Sequence, residues 1–407
     1  MQTCNQDRLQ NKITAFSHFG ATPKGGITRL SLSKSALEAR AEFCNRCKKL
    51  GMDIKTDDMG NIYATIKGTE NLPAISMGSH IDSVVQGGNY DGILGVLTAL
   101  EAAETIITEK IKTRHPITVI IWTNEEGARF DPAMMSSGVI TGKFNRDDMM
   151  KVKDIKGISF GEALEASGYL GSASNRLSPS KQAAYLELHI EQGPVLEAEH
   201  KNIGILEGVV GMVNYEIHTV GQSDHAGTTP MKMRQDALHA ASILICDLYD
   251  KLSKIDNELV FTFGRIISSP NVHTVIPDDV RFTLDARHKD PAIVQKVVDV
   301  IKNLPTEVVK CQVSSKELWA RKTVNFHVPF VDIVEKNVNA LGYTGKRMYS
   351  GPGHDAQFVA DVLPTTMIFV PSIDGHSHCE EEKTDIADCY KGANVLLNTV
   401  LDIDKAI

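Results

Sequence analysis

Ala74-Ile75-Ser76-Met77-Gly78-Ser79-His80-Ile81-Asp82-Ser83 is the stretch on which the fold turns. Ala74 to Met77 is an apolar run of strand length, and at its exit come an imidazole and, two residues on, a carboxylate. The segment Asn89-Tyr90-Asp91-Gly92-Ile93-Leu94-Gly95 then adds a second carboxylate just ahead of a helical pattern. A metal site in an α/β sheet begins this way. His80 can offer one ring nitrogen to a cation only if the other is held, and Asp82 is placed to accept that second N–H. Asp91, with two oxygens, can bridge two cations roughly 3.5 to 4 Å apart. The competing reading is a polar loop in which Asp91 is merely the N-cap of the helix that starts near Gly92. From this stretch alone, both readings stand.

Outward from it, strand and helix alternate. Ile62 to Ile66 reads as a strand before it, and after it Ile93 to about Lys110 reads as a long helix with Leu94, Leu97, Leu100 and Ile107 mostly at helical spacing. Ile117 to Trp122 is apolar along most of its length, as expected of a strand covered on both faces. From Asn214 the pattern changes to strand (215–220), helix (236–252), strand (259–267), strand (280–286), helix (292–302) and strand (308–314). That βαββαβ order suits a ferredoxin-like layer of helices on an antiparallel sheet. Alternation then resumes to the end. The expected class is α/β: a discontinuous catalytic domain, 1–211 and 322–407, with a mostly parallel sheet flanked by helices, interrupted by a ferredoxin-like domain over 212–321.

The 407 residues, 42% hydrophobic and 23% charged, allow a large core and two domains. A net charge of -8 gives no basic footprint, which argues against a nucleic-acid partner. The apolar stretches are far shorter than the roughly 20 residues of a spanning helix, and the first thirty residues have no apolar signal core. No membrane partner and a cytoplasmic location are therefore expected. Seven scattered cysteines do not form a disulfide framework, and Cys44 and Cys47 make a C-x-x-C on an amphipathic helix with no second pair to complete a zinc set.

Further candidate ligands stand at other strand exits. Ile117–Trp122 runs into Thr123-Asn124-Glu125-Glu126-Gly127, where adjacent carboxylates can reach one cavity as the chain turns out of the sheet; a solvated acidic loop is the plainer alternative. An apolar run ends in His189, and the strand from Thr366 to Val370 leads to Gly375-His376-Ser377-His378. Open α/β sheets place their ligand sites along this carboxyl edge. His80, Asp91, Glu126, His189 and His378 supply nitrogen and oxygen ligands without a thiolate, a set suited to zinc, manganese, cobalt or nickel. Two cations sharing a carboxylate would acidify a water between them, and Glu125, not needed for coordination, could take its proton.

These residues resemble the dinuclear-metal amidohydrolases related to carboxypeptidase G and aminoacylase, in their hydantoinase/carbamoylase branch. The resemblance rests on Gly25 to Leu30, Gly78 to Ser83, Asn124 to Gly127, Glu187 to Pro194, His225-Ala226-Gly227-Thr228-Thr229-Pro230-Met231, Ser350 to Ala356 and Ser377-His378. It implies two divalent metal ions per subunit, one held by His80, Asp91 and His189 and the other by Asp91, Glu126 and His378, with Glu125 as base. It also implies that the small domain pairs two subunits into a homodimer, that His225 stabilises the oxyanion in the partner's active site, and that Arg287 binds a substrate carboxylate; the distance in sequence between Arg287 and the metal ligands points to the small domain moving as a lid. His354 is expected near the site. Met212 and Thr274 stand where the family usually has a glutamine and an asparagine that help to hold substrate. The implied reaction is hydrolysis of a ureido or other linear amide bond on a small carboxylate, first an N-carbamoyl-L-amino acid, then allantoate, then a peptide or N-acyl amino acid. A binding module that kept a metal-shaped cleft is the non-enzymatic alternative.

Overall fold

Ala74–His80 is a strand buried at every position, as its uninterrupted run of apolar and small residues requires. A computed structural model describes residues 1–407. The chain divides into two units, Met1–Gly208 with Asn325–Ile407, and Val209–Val324. In chain order the strands are β1 (Asp53–Thr56), β2 (Ile62–Ile66), β3 (Ala74–His80), β4 (Ile117–Trp122), β5 (Gln182–Ile190) and β6 (Ile203–Val209). Next come β7 (Gly211–Val220), β8 (Val260–Ser269), β9 (Asp279–His288), β10 (Glu307–Val308) and β11 (Cys311–Arg321), followed by β12 (Val324–Asn325), β13 (Gly345–Ser350) and β14 (Thr365–Val370).

The first unit is built on a nine-stranded sheet ordered β1-β2-β4-β3-β5-β14-β6-β12, with β13 on β6. Its centre is parallel: β3 pairs with β4 and β5, and β14 with β5. Outside that centre β1–β2, β2–β4 and β14–β6 are antiparallel, so the sheet is mixed, where the sequence pointed to a mostly parallel one. The reason is local. Asp53–Thr56 and Ile62–Ile66 are joined by a short turn that only an antiparallel pair can use. The helix Ile93–Thr108 lies against β3 and the C-terminal helix Ile386–Ala406 and is buried nearly all round, Ala99, Ala102 and Ala103 included. Each fully buried Leu or Ile there contributes about 1.5–3 kcal/mol.

The second unit is an antiparallel sheet ordered β10-β11-β7-β9-β8 with the helices Ala237–Leu252 and Pro291–Lys302. Strand β9 alternates strictly, burying Val280, Phe282, Leu284 and Ala286 into a core completed by Ile217, Leu244, Leu248 and Val297. Both helices begin where an aspartate, Asp236 or Asp290, accepts backbone N–H groups of the first turn. No helix of the chain is long and apolar enough to cross a membrane.

Candidate metal centre

At the carboxyl edge of the parallel strands, His80 closes β3, His189 is the penultimate residue of β5, and Glu125 and Glu126 follow β4 by three and four residues. His378 comes from the loop after β14, and Asp91 from the loop before the helix Ile93–Thr108. These side chains converge into two groups, His80–Asp91–His189 and Asp91–Glu126–His378, each with ligand atoms within 4.8 Å of one another. Asp91 belongs to both: Oδ1 lies 3.6 Å from His80 Nε2 and 3.1 Å from His189 Nε2, and Oδ2 lies 3.2 Å from His378 Nε2. Glu126 Oε2 is 3.4 Å from His378 Nε2. His376, the other histidine of Gly375-His376-Ser377-His378, is exposed and in neither group. The capping reading of Asp91 fails, because the helix N-cap is Gly92 and no side chain caps it. Gly92 is required for another reason: at φ +64 its missing Cβ leaves room for the His80 ring, which a Cβ would meet at 2.2 Å.

The donor set fits divalent cations. His80 Nδ1 donates to the Asp82 carbonyl at 2.9 Å and His189 Nδ1 to the Ile190 carbonyl at 2.9 Å, so both Nε2 atoms turn lone pairs inward. Glu126 Oε1 is buried with no hydrogen-bond partner. The holder of His80 is thus the main-chain oxygen of Asp82; its carboxylate, expected in that role, is 4.0 Å away. That carboxylate instead accepts the backbone N–H of Glu126 at 3.3 Å and lies 3.5 Å from that of Glu125, tying the exit of β3 to the exit of β4.

Charge is concentrated here. Burial pushes Glu125 well above the usual carboxylate range, and burial with the Asp91 charge lifts Glu126 to about 8. Asp91 is held well below its ordinary value, because contacts with His189, His378 and His80 outweigh burial. The hydrogen bond to Asp91 raises His378 to about 9. Glu125 Oε2 faces His80 Nε2 at 3.4 Å and takes no part in either ligand group.

Three residues near the centre were unassigned in the sequence. Gln192, strained at φ +58, donates from Nε2 to Asp91 Oδ2 at 2.7 Å. Glu187 is fully buried and receives Ser79 Oγ at 2.7 Å and the Ala356 N–H at 3.1 Å. Glu382 accepts the N–H groups of Tyr90 and Asp91. Glu382 ends an acidic run, Glu380-Glu381-Glu382, that reads as a solvated face, and nothing in spacing marks the other two. His354 is buried, its ring 4.5 Å from that of His189 and its Nε2 2.8 Å from Ser350 Oγ, so what it touches here is a ligand's ring.

Within the second unit, Met212 on β7 is the register partner of Arg287 on β9 and of Arg321 on β11, and it is buried. The Arg287 fork already meets a carboxylate, donating to Asp285 Oδ1 at 2.7 Å. His225 is exposed; the Gly227 N–H bonds its Nδ1 at 3.0 Å, which leaves the ring proton on Nε2. The Thr274 carbonyl accepts the Ala226 N–H at 2.9 Å, so Thr274 and His225 are neighbours. A third group, Asp256–Glu258–His288, lies in the second unit: His288 Nδ1 accepts the Asp290 N–H at 3.0 Å and its Nε2 lies 3.4 Å from Asp256 Oδ1. All seven cysteines are unpaired.

The model of peptidase family M20/M25/M40 matches residues 77–402. The N-carbamoyl-L-amino-acid amidohydrolase of Paenarthrobacter aurescens is 35% identical over all of both chains. The allantoate amidohydrolase of Escherichia coli (strain K12) is 36% identical over 97% of each. Among solved structures, an amidase of the hydantoinase/carbamoylase family from Burkholderia multivorans superposes with a TM-score of 0.89 at 37% identity, covering 98% of both chains.

Proposed function

Because the chain belongs to peptidase family M20/M25/M40, in its hydantoinase/carbamoylase branch, we propose that it is a metal-dependent amidohydrolase cleaving the carbamoyl C–N bond of an N-carbamoyl-L-amino acid. The observation that carries this is Asp91, one carboxylate shared by two ligand groups, with Glu125 buried beside them and outside both. Two divalent cations held by these groups would polarise the scissile carbonyl and make water acidic enough to react near neutrality. Glu125 takes the proton from that water and delivers it to the leaving nitrogen. The amino acid departs, and the carbamate left behind decomposes to carbon dioxide and ammonia. His225 presents an Nε2–H suited to the developing oxyanion, and Arg287, whose fork now holds Asp285, would exchange that carboxylate for the substrate's. We assign these two residues, with Thr274, Met212 and His354, to substrate handling. We further propose a homodimer formed through the small domain and a cytoplasmic setting, the latter in keeping with seven free thiols.

Allantoate is the second reading, favoured by the 36% identity to the Escherichia coli enzyme. Protein reconstituted with Mn²⁺ or Zn²⁺ and given N-carbamoyl-L-amino acids, allantoate and N-acetyl amino acids separates them, with ammonia and amine products both followed. Equal release of free amino acid and ammonia from an N-carbamoyl-L-amino acid, at the highest kcat/KM of the set, is expected. Turnover of allantoate alone would move the assignment to that substrate, and turnover of only N-acetyl amino acids would overturn it.

A further inference from the structure

His80 and His189 sit on strands, whereas Asp91 and His378 stand on loops, and His378 is half exposed. Two loops must therefore be fastened to each other before Asp91 and His378 can meet one cation. Gln192 links their side chains, donating from Nε2 to Asp91 Oδ2 at 2.7 Å and to Ser377 Oγ at 3.2 Å, and Glu382 ties the Asp91 backbone to Ser377. Glu382, buried, accepts the N–H groups of Tyr90 at 3.0 Å and Asp91 at 2.9 Å through Oε1. Its Oε2 accepts from Ser377 Oγ at 3.1 Å, next in sequence to His378, and the same hydroxyl lies 3.2 Å from Asp91 Oδ2. The approach is close enough to dictate sequence nearby: a Cβ on Gly88 would meet Glu382 Oε1 at 2.2 Å.

We propose that Glu382 is a positioning residue for the dinuclear centre, setting the spacing between Asp91 and His378 and through it the affinity for the second cation. This rests on the two-cation reading. Groups that orient metal ligands typically contribute 10–100-fold to affinity. Glutamine can reproduce the contacts, its Oε1 accepting from Tyr90 and Asp91 and its Nε2 donating to Ser377 Oγ.

The test is equilibrium dialysis of the full chain against buffered Mn²⁺ or Zn²⁺, counting bound metal by plasma mass spectrometry, with circular dichroism as the folding control. Wild type is expected to bind two cations. Glu382→Ala should weaken the second at least tenfold and leave the first unchanged, and Glu382→Gln should stay within about threefold of wild type. Should Glu382→Ala fail to fold, Ser377→Ala removes the contact of Glu382 with the His378 loop, together with the Ser377–Asp91 contact, and should weaken the same cation. Wild-type affinity at both sites in either folded variant would overturn the role of Glu382. A wild-type chain that binds fewer than two cations would overturn the two-cation reading, and the inference with it.

Discussion

Glu125 and Glu126 are neighbours with different tasks, and the backbone between strand and loop separates them. Asn124 takes φ +61, which breaks the strand's alternation and lets both carboxylates enter one cavity, Glu126 toward His378 and Glu125 toward His80. Glu125→Gln is expected to lower kcat by about 10²–10⁴ while two cations remain bound, read by steady-state kinetics beside metal analysis. Loss of a cation would instead make Glu125 a ligand. At this scale the ligands were legible because each stood at the exit of an apolar run. The partner of His80 was not, since a main-chain carbonyl leaves no mark in sequence. Gln192 and Glu382 escaped for a similar reason: an amide and a buried acid that hold ligands look like any polar loop residue until the loops are folded together.

Elements carry their own electrostatics. The helix Gln6–Phe16 packs on Ile93–Thr108 through Glu101, fully buried, which receives Lys12 Nζ at 2.6 Å, Arg8 Nη2 at 2.6 Å and the Asn5 N–H at 2.9 Å. Burial raises the Glu101 pKa, but Arg8 and Lys12 outweigh it and leave it below the ordinary value. A lowered folded-state pKa stabilises above the unfolded value of about 4.3 and loses that contribution as pH falls through the folded one. Glu101→Gln, which leaves Lys12 with Glu104 at 2.6 Å as its remaining counter-charge, should cost about 1–3 kcal/mol at pH 7. Denaturant unfolding of both proteins checks this, and the difference should shrink below pH 4; a variant as stable as wild type at pH 7 would refute it. Amphipathic helices and the apolar central strands were readable from their periods. Strands β6 and β13 were not: β6 carries glycines at 204 and 208, and β13, Gly-Lys-Arg-Met-Tyr-Ser, is half buried with no apolar run. The antiparallel edges were missed because strand direction depends on the turn, which spacing alone does not reveal.

At the scale of the whole molecule, the first unit is continuous in space although broken in sequence. The chain leaves it after β6 and returns with the Phe326 N–H bonded to the Glu207 carbonyl at 2.9 Å, so exit and re-entry lie side by side and a whole unit can be inserted without breaking the sheet. That closure is what allows His378, from the far end of the chain, to meet His80, Asp91 and Glu126. Crystals of the protein grown with Zn²⁺ and measured on both sides of the zinc absorption edge test the central claim most directly. Two anomalous peaks roughly 3.5 to 4 Å apart are predicted, one among His80, Asp91 and His189 and the other among Asp91, Glu126 and His378. A single peak, or peaks with Asp91 outside the coordination of either, would contradict it.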